Sequence, residues 1–394
     1  MGAWQISFYE VLFMKVVVAI DSFKGSLSSF QAGTAVKEGI LSALPSATVD
    51  VCPIADGGEG TVDAILQSTD ASVRRISVTG PLGRSISAYY GILNGVAVME
   101  MAKASGLPLL RANERNPMNT TTYGVGEMIH DAIRHGCREF IIGIGGSATN
   151  DGGIGMLQAL GFEFLDGRGK DVPYGAEGVG MIRSISTKNA LKELSECTFH
   201  IACDVTNPLC GELGCSAIFA RQKGADDEMI KIMDSYLSRY ADLTMEAIGR
   251  NERCTPGAGA AGGLGFAFIS YLNASLESGF NLITKHTGLE EKIKDADIVV
   301  TGEGRLDLQT SMGKAPMGVA TMAKKYGAPV IAFAGSVTDG AENSEKTGIT
   351  AFFPVLREVC TLEKAMETEY AKKNVTKTAE QVFKLIDLGA RKGN

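Results

Sequence analysis

Carboxylates repeatedly stand where a predicted strand of this 394-residue chain ends. The polar residues that follow these strands are Asp21 with Lys24, Asp56 with Glu59, Asp204 with Asn207, and Glu303 with Asp307. In open parallel sheets, ligands bind outside the carboxyl ends of the strands. A single carboxylate at such a position is often only a helix cap or a turn residue. Its recurrence at four strand ends favours a polar functional site.

Two glycine-rich segments accompany these carboxylates, at 57–60 and 145–153. Such loops can bring backbone N–H groups and helix N-termini close to an anion. Phosphoryl transfer needs N–H groups around phosphates, carboxylates for Mg²⁺, a cation for developing charge and an acceptor for the hydroxyl proton. Lys24 and Lys314 can each supply the cation, although a solvated surface position is the alternative for either. These residue types indicate a kinase.

The familiar motifs of several enzyme classes are absent. Gly313-Lys314 is followed by Ala315 and lacks the earlier glycine of GxxxxGK[ST], which excludes a Walker-type kinase. Ser147 lies in GGSAT rather than GxSxG, so a hydrolase nucleophile elbow is not supported. The segment 256–259 is similar to the anion hole of ribokinase-like sugar kinases, but Ala260 stands where the catalytic Asp is expected.

Two rival functions remain open at this point. The segment 143–148 fits the dinucleotide fingerprint GxGxxA after a strand, which favours an NAD-dependent oxidoreductase of a small hydroxy acid. Its hydrophilic continuation is a poor start to a packed helix, and it does not lie at the first strand–helix step of the chain. A non-catalytic hydroxy-acid sensor would use the same pockets without turnover.

Composition limits the partners and the compartment. A net charge of −7 argues against sequence-independent binding of nucleic acid, which depends on Lys and Arg. The eight cysteines form no CxxC pair, so we expect reduced thiols in the cytoplasm. Cys203, Cys210 and Cys215 match no zinc ribbon. No apolar run approaches the ~20 residues of a membrane helix, so we expect no membrane association.

The length and the order of elements predict two domains. Strands at 15–20, 49–55, 297–301 and 330–334 alternate with helices, as in a mostly parallel sheet covered on both faces. The runs at 73–78, 85–93 and 96–101 have short glycine-containing connections and predict an antiparallel or mixed sheet in the middle. Residues 1–13 carry no strand or helix pattern, and we expect a leader outside the fold.

Five ordered motifs closely resemble those of the bacterial glycerate kinase family. They are AIDSFKGS at 19–26, ADGGEGT at 55–61, GIGGSATNDGG at 143–153, ACDVTNPL at 202–209 and TGEGRLD at 301–307. The resemblance runs from residue 14 to about 388. It implies an α/β protein with a Rossmann- or flavodoxin-like three-layer parallel-sheet domain built from 14–80 and 288–394. An inserted mixed α/β domain with a restriction-enzyme-like fold, 81–287, would complete it, with the cleft between the domains.

The resemblance also implies ATP-dependent phosphorylation of D-glycerate with Mg²⁺, to 2-phosphoglycerate, with 3-phosphoglycerate as the alternative product. We expect Asp204 to be the catalytic base, with Asp151 as the alternative, and Lys24 to stabilise the transferring phosphoryl group. The expected metal ligands are Asp56, Glu303 and Asp307. The expected substrate and nucleotide contacts are Asp21, Ser22, Gly57, Gly58, Glu59, Gly145, Gly146, Ser147, Thr149, Asn150, Asn207, Gly302, Glu303, Gly304 and Lys314. A homodimer is a candidate assembly.

Overall fold

The computed structural model of the protein describes residues 14–54, 60–306, 315–338 and 348–393. The chain divides into two compact units. The first is Met1–Ile54 with Thr284–Asn394, and the second is Ala55–Ile283. The predicted leader, 1–13, lies outside the described residues.

Helices and strands are numbered here along the chain. The first unit begins with β1 (Lys15–Val18), α1 (Ser29–Ala43) and β2 (Thr48–Val51). The second unit contains α2 (Thr61–Ser68), β3 (Ser72–Thr79), β4 (Ser85–Leu93), β5 (Val96–Glu100), α3 (Ala102–Ser105), α4 (Tyr123–Arg134), β6 (Glu139–Gly143), α5 (Ile154–Ala159), β7 (Glu163–Leu165), α6 (Gly175–Met181), β8 (Ser184–Ser186), β9 (Thr198–Ala202), α7 (Cys215–Phe219), α8 (Asp227–Ile248), α9 (Ala260–Leu272) and β10 (Ser275–Glu277).

Helix α10 (Gly279–Thr287) crosses the second boundary between the units. The first unit then resumes with α11 (Leu289–Lys294), β11 (Ile298–Leu306), α12 (Ala315–Lys325), β12 (Val330–Val337), β13 (Ala351–Pro354), α13 (Leu362–Met366) and α14 (Thr368–Gly393).

The first unit is built on a parallel sheet of five strands in the order β13-β12-β11-β1-β2. Strand β1 consists largely of three successive valines that are fully buried, as expected for a strand covered on both faces. Helix α1 begins in a capping box, in which the Ser28 hydroxyl accepts from Gln31 N and the Gln31 side chain accepts from Ser28 N. The parallel α/β character predicted from the sequence is confirmed for this unit.

Strand β11 is longer than the sequence predicted. The predicted strand ended at 301, but pairing with β12 continues from Gly302↔Phe333 to Leu306↔Val337. The pairing of β11 with β1 stops at Val18↔Val300. Gly302, Glu303 and Gly304 therefore lie in a strand that projects past the end of β1, rather than in a loop. Glycine is required at 302 because a Cβ there would overlap the Phe333 carbonyl oxygen.

The second unit is built on a mixed sheet of six strands in the order β10-β9-β6-β5-β4-β3. Neighbouring strands are parallel from β10 to β5, whereas β4 is antiparallel to both of its neighbours, β5 and β3. Aromatic rings fill the core beneath the parallel part, where Phe140 and Phe199 stack at a centroid distance of 4.8 Å. The mixed sheet predicted for the middle of the chain is confirmed.

The boundary between the units differs from the predicted position. The sequence placed the first junction at 80/81 and the second at 287/288, whereas the structure places them at 54/55 and 283/284. The reason is that β3 pairs with β4 along its whole length, from Ser72↔Ile92 to Thr79↔Ser85. Helix α2 also packs Val62 and Ile65 into one cluster with Val98 and Ile141 of that unit.

Two further observations concern bilayers and thiols. Among the helices that the structure describes, none combines the length and the apolar character needed to cross a membrane. All eight cysteines are free.

Candidate functional site

A cavity of about 330 Å³ lies in the second unit, a size typical of small-molecule sites. It is bordered by the loops that follow β6 and β9, which are neighbouring parallel strands in register at Gly143↔Ala202. Because the two strands end side by side, their loops emerge together at one edge of the sheet. The lining residues are Leu107, Ile144, Gly145, Gly146, Ser147, Ala202, Cys203, Asp204, Val205, Phe219, Gln222, Lys223, Ala260 and Ala261.

Asp204, the residue predicted from the sequence as the base, lines this cavity. It comes two residues after the end of β9, and the residue is exposed to solvent. The backbone N–H of Gly279, at the start of α10, donates to Asp204 Oδ1 at 3.3 Å. This bond orients the carboxylate, which can accept a proton from a ligand hydroxyl in the cavity.

Asp151, the predicted alternative base, does not line the cavity. Its side chain is fully buried. Thr122 donates to Asp151 Oδ2 from both its N–H and its hydroxyl, each at 2.8 Å, and Gly153 N donates to Oδ1 at 3.2 Å. Burial raises the pKa of Asp151, and these hydrogen bonds oppose the rise. The placement is that of a residue that fastens the glycine loop to the start of α4, rather than that of a base.

The other predicted residues of the glycine loop separate into two sets. Gly145, Gly146 and Ser147 line the cavity. Thr149 and Asn150 are fully buried outside the lining, and Asn150 Nδ2 donates to Ser216 Oγ at 2.9 Å.

Asn207 does not line the cavity either. Its Nδ2 donates to the Leu213 carbonyl at 2.9 Å, so this side chain stabilises its own loop. Of the residues predicted in this unit and described, the structure therefore brings Gly145, Gly146, Ser147 and Asp204 together around the cavity.

The segment that matched the dinucleotide fingerprint does not lead into a helix. Helix α5 begins only at Ile154, and the intervening residues form an irregular loop. The fingerprint depends on a glycine turn that passes directly into a helix whose N-terminus holds the pyrophosphate. The local structure therefore speaks against the NAD-dependent alternative.

Lys223 is a cavity residue that the sequence reasoning missed. It ends a short 3-10 turn, Arg221–Lys223, and its side chain is only 2% exposed. Its Nζ donates to Ser147 Oγ at 2.8 Å and to the Thr149 carbonyl at 2.6 Å. Burial lowers the pKa of Lys223 to about 8. Its local sequence, Arg-Gln-Lys-Gly, reads as an exposed turn and carried no indication of burial.

The small-residue stretch at 256–265 serves close packing beside the cavity. Gly262 and Gly263 have φ of 68° and 89°, in the left-handed region that glycine favours. A Cβ at Gly262 would overlap the Thr149 carbonyl oxygen, and Gly152 N donates to the Gly262 carbonyl at 2.9 Å. These small residues therefore let the start of α9 lie against the glycine loop.

Six predicted residues of the first unit lie near one another, three just after the end of β1 and three in the part of β11 that extends past it. They are Asp21, Ser22, Lys24, Gly302, Glu303 and Gly304. Asp21 N donates to the Gly302 carbonyl at 2.9 Å, which joins the two segments. Asp21 and Glu303 are largely buried, while Lys24 is exposed. The predicted residues Asp56, Gly57, Gly58, Glu59, Asp307 and Lys314 lie outside the described part of the chain.

The carboxylates of this set are of the type that the expected Mg²⁺ would need as ligands. Within the described ranges, no group of three or more His, Cys, Asp and Glu side chains could hold a metal ion. Mg²⁺ is usually held by one or two carboxylates together with substrate phosphates, rather than by an all-protein cage. Glu303 and Asp21 provide oxygen ligands of that kind, so the donor chemistry fits Mg²⁺.

Comparisons with known proteins agree on one family. The model of the glycerate kinase family matches residues 16–387. The chain is 43% identical to glycerate 2-kinase of Escherichia coli K12, over 96% of this chain and 99% of that protein. It is also 43% identical to glycerate kinase of Bacillus subtilis 168, over 95% and 98%.

A crystal structure supports the same relationship. It is that of a candidate glycerate kinase 2 from Salmonella typhimurium LT2, with a TM-score of 0.87 and 44% identity. The match covers 96% of this chain and all of that one. The chain therefore belongs to the glycerate kinase family.

Proposed function

We propose that this protein transfers the terminal phosphoryl group of ATP to the 2-hydroxyl of D-glycerate and forms 2-phosphoglycerate. The enzyme class of the protein, an ATP-dependent glycerate kinase, follows from its family. The observation that carries the assignment of the acceptor site is the small cavity in which Asp204 faces the loop Gly145-Gly146-Ser147. The E. coli relative is named glycerate 2-kinase, which supports the 2-hydroxyl as the acceptor.

In the proposed mechanism, D-glycerate binds in the cavity with its 2-hydroxyl at Asp204. The carboxylate takes the hydroxyl proton as the oxygen forms a bond to the γ-phosphorus of ATP. The bond between the γ-phosphorus and the β,γ-bridging oxygen breaks, and ADP leaves. The Gly279 N–H holds the carboxylate in place before the proton moves.

The residues that follow β1, together with the part of β11 that extends past it, are the proposed contacts of the nucleotide. Lys24 would stabilise the negative charge of the transferring phosphoryl group. Asp21, Ser22, Gly302 and Gly304 would contact the phosphates. Further contacts are proposed for Gly57, Gly58, Glu59 and Lys314. Mg²⁺ would be held by Glu303, with Asp56 and Asp307, and would neutralise phosphate charge when bound.

We also propose a fold type for each unit and a cellular setting for the protein. The first unit would be flavodoxin-like and the second restriction-enzyme-like. The protein would act in the cytoplasm on a small substrate and a nucleotide, as a homodimer, with neither nucleic acid nor a membrane as a partner.

Phosphorus NMR of a reaction with ATP, Mg²⁺ and D-glycerate tests the proposal directly. The expected result is stoichiometric ADP with 2-phosphoglycerate. A 3-phosphoglycerate product would move the acceptor to the other hydroxyl. If the protein binds D-glycerate but releases no ADP, the non-catalytic sensor is favoured. If it oxidises a hydroxy acid with NAD, the oxidoreductase is favoured.

A further inference from the structure

We propose that Lys223 binds the substrate's carboxylate in the cavity and so makes the site select an acid over the corresponding neutral alcohol. The identity of the acid as glycerate rests on the proposed function. The role of Lys223 as an anion anchor rests on the contacts and the charges of the cavity itself.

Among the residues that the structure describes, Lys223 keeps one N–H donor for a ligand. An ammonium has three N–H donors, and the Ser147 hydroxyl and the Thr149 carbonyl accept two of them. The side chain is almost fully buried and lines the cavity. A small molecule in the cavity can accept the third N–H.

The charge of Lys223 also calls for an anion. Within the part of the chain that the structure describes, its Nζ forms no ion pair, and both of its acceptors are neutral oxygens. Asp151 acts on Lys223 electrostatically, but its carboxylate accepts hydrogen bonds from Thr122 and Gly153. A buried ammonium that no carboxylate contacts directly is costly, so a carboxylate in the cavity would stabilise Lys223 strongly.

A 2-hydroxy acid matches the two charged residues of the cavity. Lys223 would take the carboxylate, and Asp204 would face the neighbouring hydroxyl. Leu107, Ile144 and Phe219 give the remaining wall an apolar character. A neutral alcohol in the same position would leave the buried ammonium unpaired, and polar sites reject analogues of this kind strongly.

The test compares Lys223→Met, Lys223→Gln and the control Lys231→Met, which removes an exposed lysine from α8. D-glycerate affinity is measured by titration calorimetry without nucleotide, and kcat and KM are measured for D-glycerate and glycerol. Losing one hydrogen bond between charged groups should weaken D-glycerate binding roughly 10–100-fold. The preference for D-glycerate over glycerol should fall by a similar factor, while the KM for ATP stays unchanged. The control Lys231→Met should match the wild type in all of these measurements.

Lys223→Gln separates a charged anchor from a mere clamp of the loop. The Gln amide can still donate to Ser147 and Thr149 but carries no charge. Continued weak binding of D-glycerate by this variant supports the proposal. Recovery of wild-type affinity, or equal losses for D-glycerate and glycerol, would show that Lys223 only holds the loop.

The wild-type protein offers a measurement that does not depend on the folding of a variant. Its D-glycerate affinity should fall about tenfold per pH unit above about 8, as the lysine loses its proton. Two other ionisable groups act on Lys223. Cys215 in α7, whose pKa burial raises to about 12, stays a thiol there. Asp151 acts from the glycine loop. A flat affinity from pH 7 to 9.5 would overturn the assignment.

The two proposals fail in different ways. If D-glycerate binds with the expected dependence on Lys223 but is not phosphorylated, the proposed function is wrong and the anchor stands. If the wild type phosphorylates D-glycerate and Lys223→Met keeps its affinity and its acid preference, only the anchor is wrong. If the wild type does not bind D-glycerate, both are wrong.

Discussion

Raising the pH should stabilise the wild-type protein relative to Lys223→Met. Burial in the loop lowers the pKa of Lys223 from its ordinary 10.5 to about 8. Between these values the unfolded chain holds a proton that the folded protein has released. Unfolding therefore takes up a proton, and the free energy of unfolding rises with pH through this window. The sign follows from a folded-state pKa that is lowered for a base, since the charged form is disfavoured by folding.

The size of this increase in the free energy of unfolding follows from the pKa of Lys223 in the folded and in the unfolded state. At about 1.36 kcal/mol per pH unit, the full difference corresponds to roughly 3 kcal/mol. This stabilisation by the titration of Lys223 is absent at pH 7 and complete above pH 10.5. By pH 9.5, about one and a half units into the window, it should have reached about 2 kcal/mol.

Urea unfolding at pH 7, 8, 9 and 9.5 measures this gain as a difference between proteins. The free energy of unfolding of the wild type minus that of Lys223→Met should increase by about 2 kcal/mol between pH 7 and 9.5. Lys231→Met, which lacks an exposed lysine, should follow the wild type throughout. A constant difference between the wild type and Lys223→Met would refute the reasoning, because Lys223 would then not titrate differently in the folded and unfolded states.

Three further substitutions test the roles assigned to carboxylates and to Lys24. Asp204→Asn should lower kcat by ~10²–10⁴-fold with little change in D-glycerate or ATP affinity in binding titrations, and a near-normal kcat would move the base elsewhere. Asp151→Asn should lower the free energy of unfolding by roughly 1–3 kcal/mol, since it disturbs the bonds to Thr122 and Gly153, and unchanged stability with abolished turnover would restore it as the base. Lys24→Ala should weaken both turnover and nucleotide binding. Loss of turnover with unchanged nucleotide binding would show that Lys24 acts only in the transition state.

The sequence by itself predicted the features that are determined by residues close together in the chain. The β-branched run of β1 followed by Asp21, and the strand β9 followed by Asp204, are local patterns, because a buried strand and the turn after it lie within a few residues. The alternation of strands and helices likewise predicted the parallel sheet of the first unit, and the three short runs at 73–101 predicted the mixed sheet of the second.

Pairing between distant strands was decided only in the tertiary structure. Strand β11 runs on to Leu306 because β12, more than twenty residues later, offers backbone partners as far as Val337. Strand β3 joins the second unit because β4 pairs with all of it. Periodicity shows that a segment is a strand, but the partner that fixes its length and its sheet lies elsewhere in the chain.

Burial of polar side chains was decided in the same way. Asp151 and Lys223 both look like exposed loop residues in the sequence. Yet Thr122, immediately before α4, donates to Asp151 from both its N–H and its hydroxyl, and the glycine loop supplies the acceptors that hold Lys223. Whether a charged side chain is solvated or buried depends on the atoms packed around it from distant segments. For that reason the sequence could predict the carboxylate of the cavity, while only the packed loops reveal its lysine.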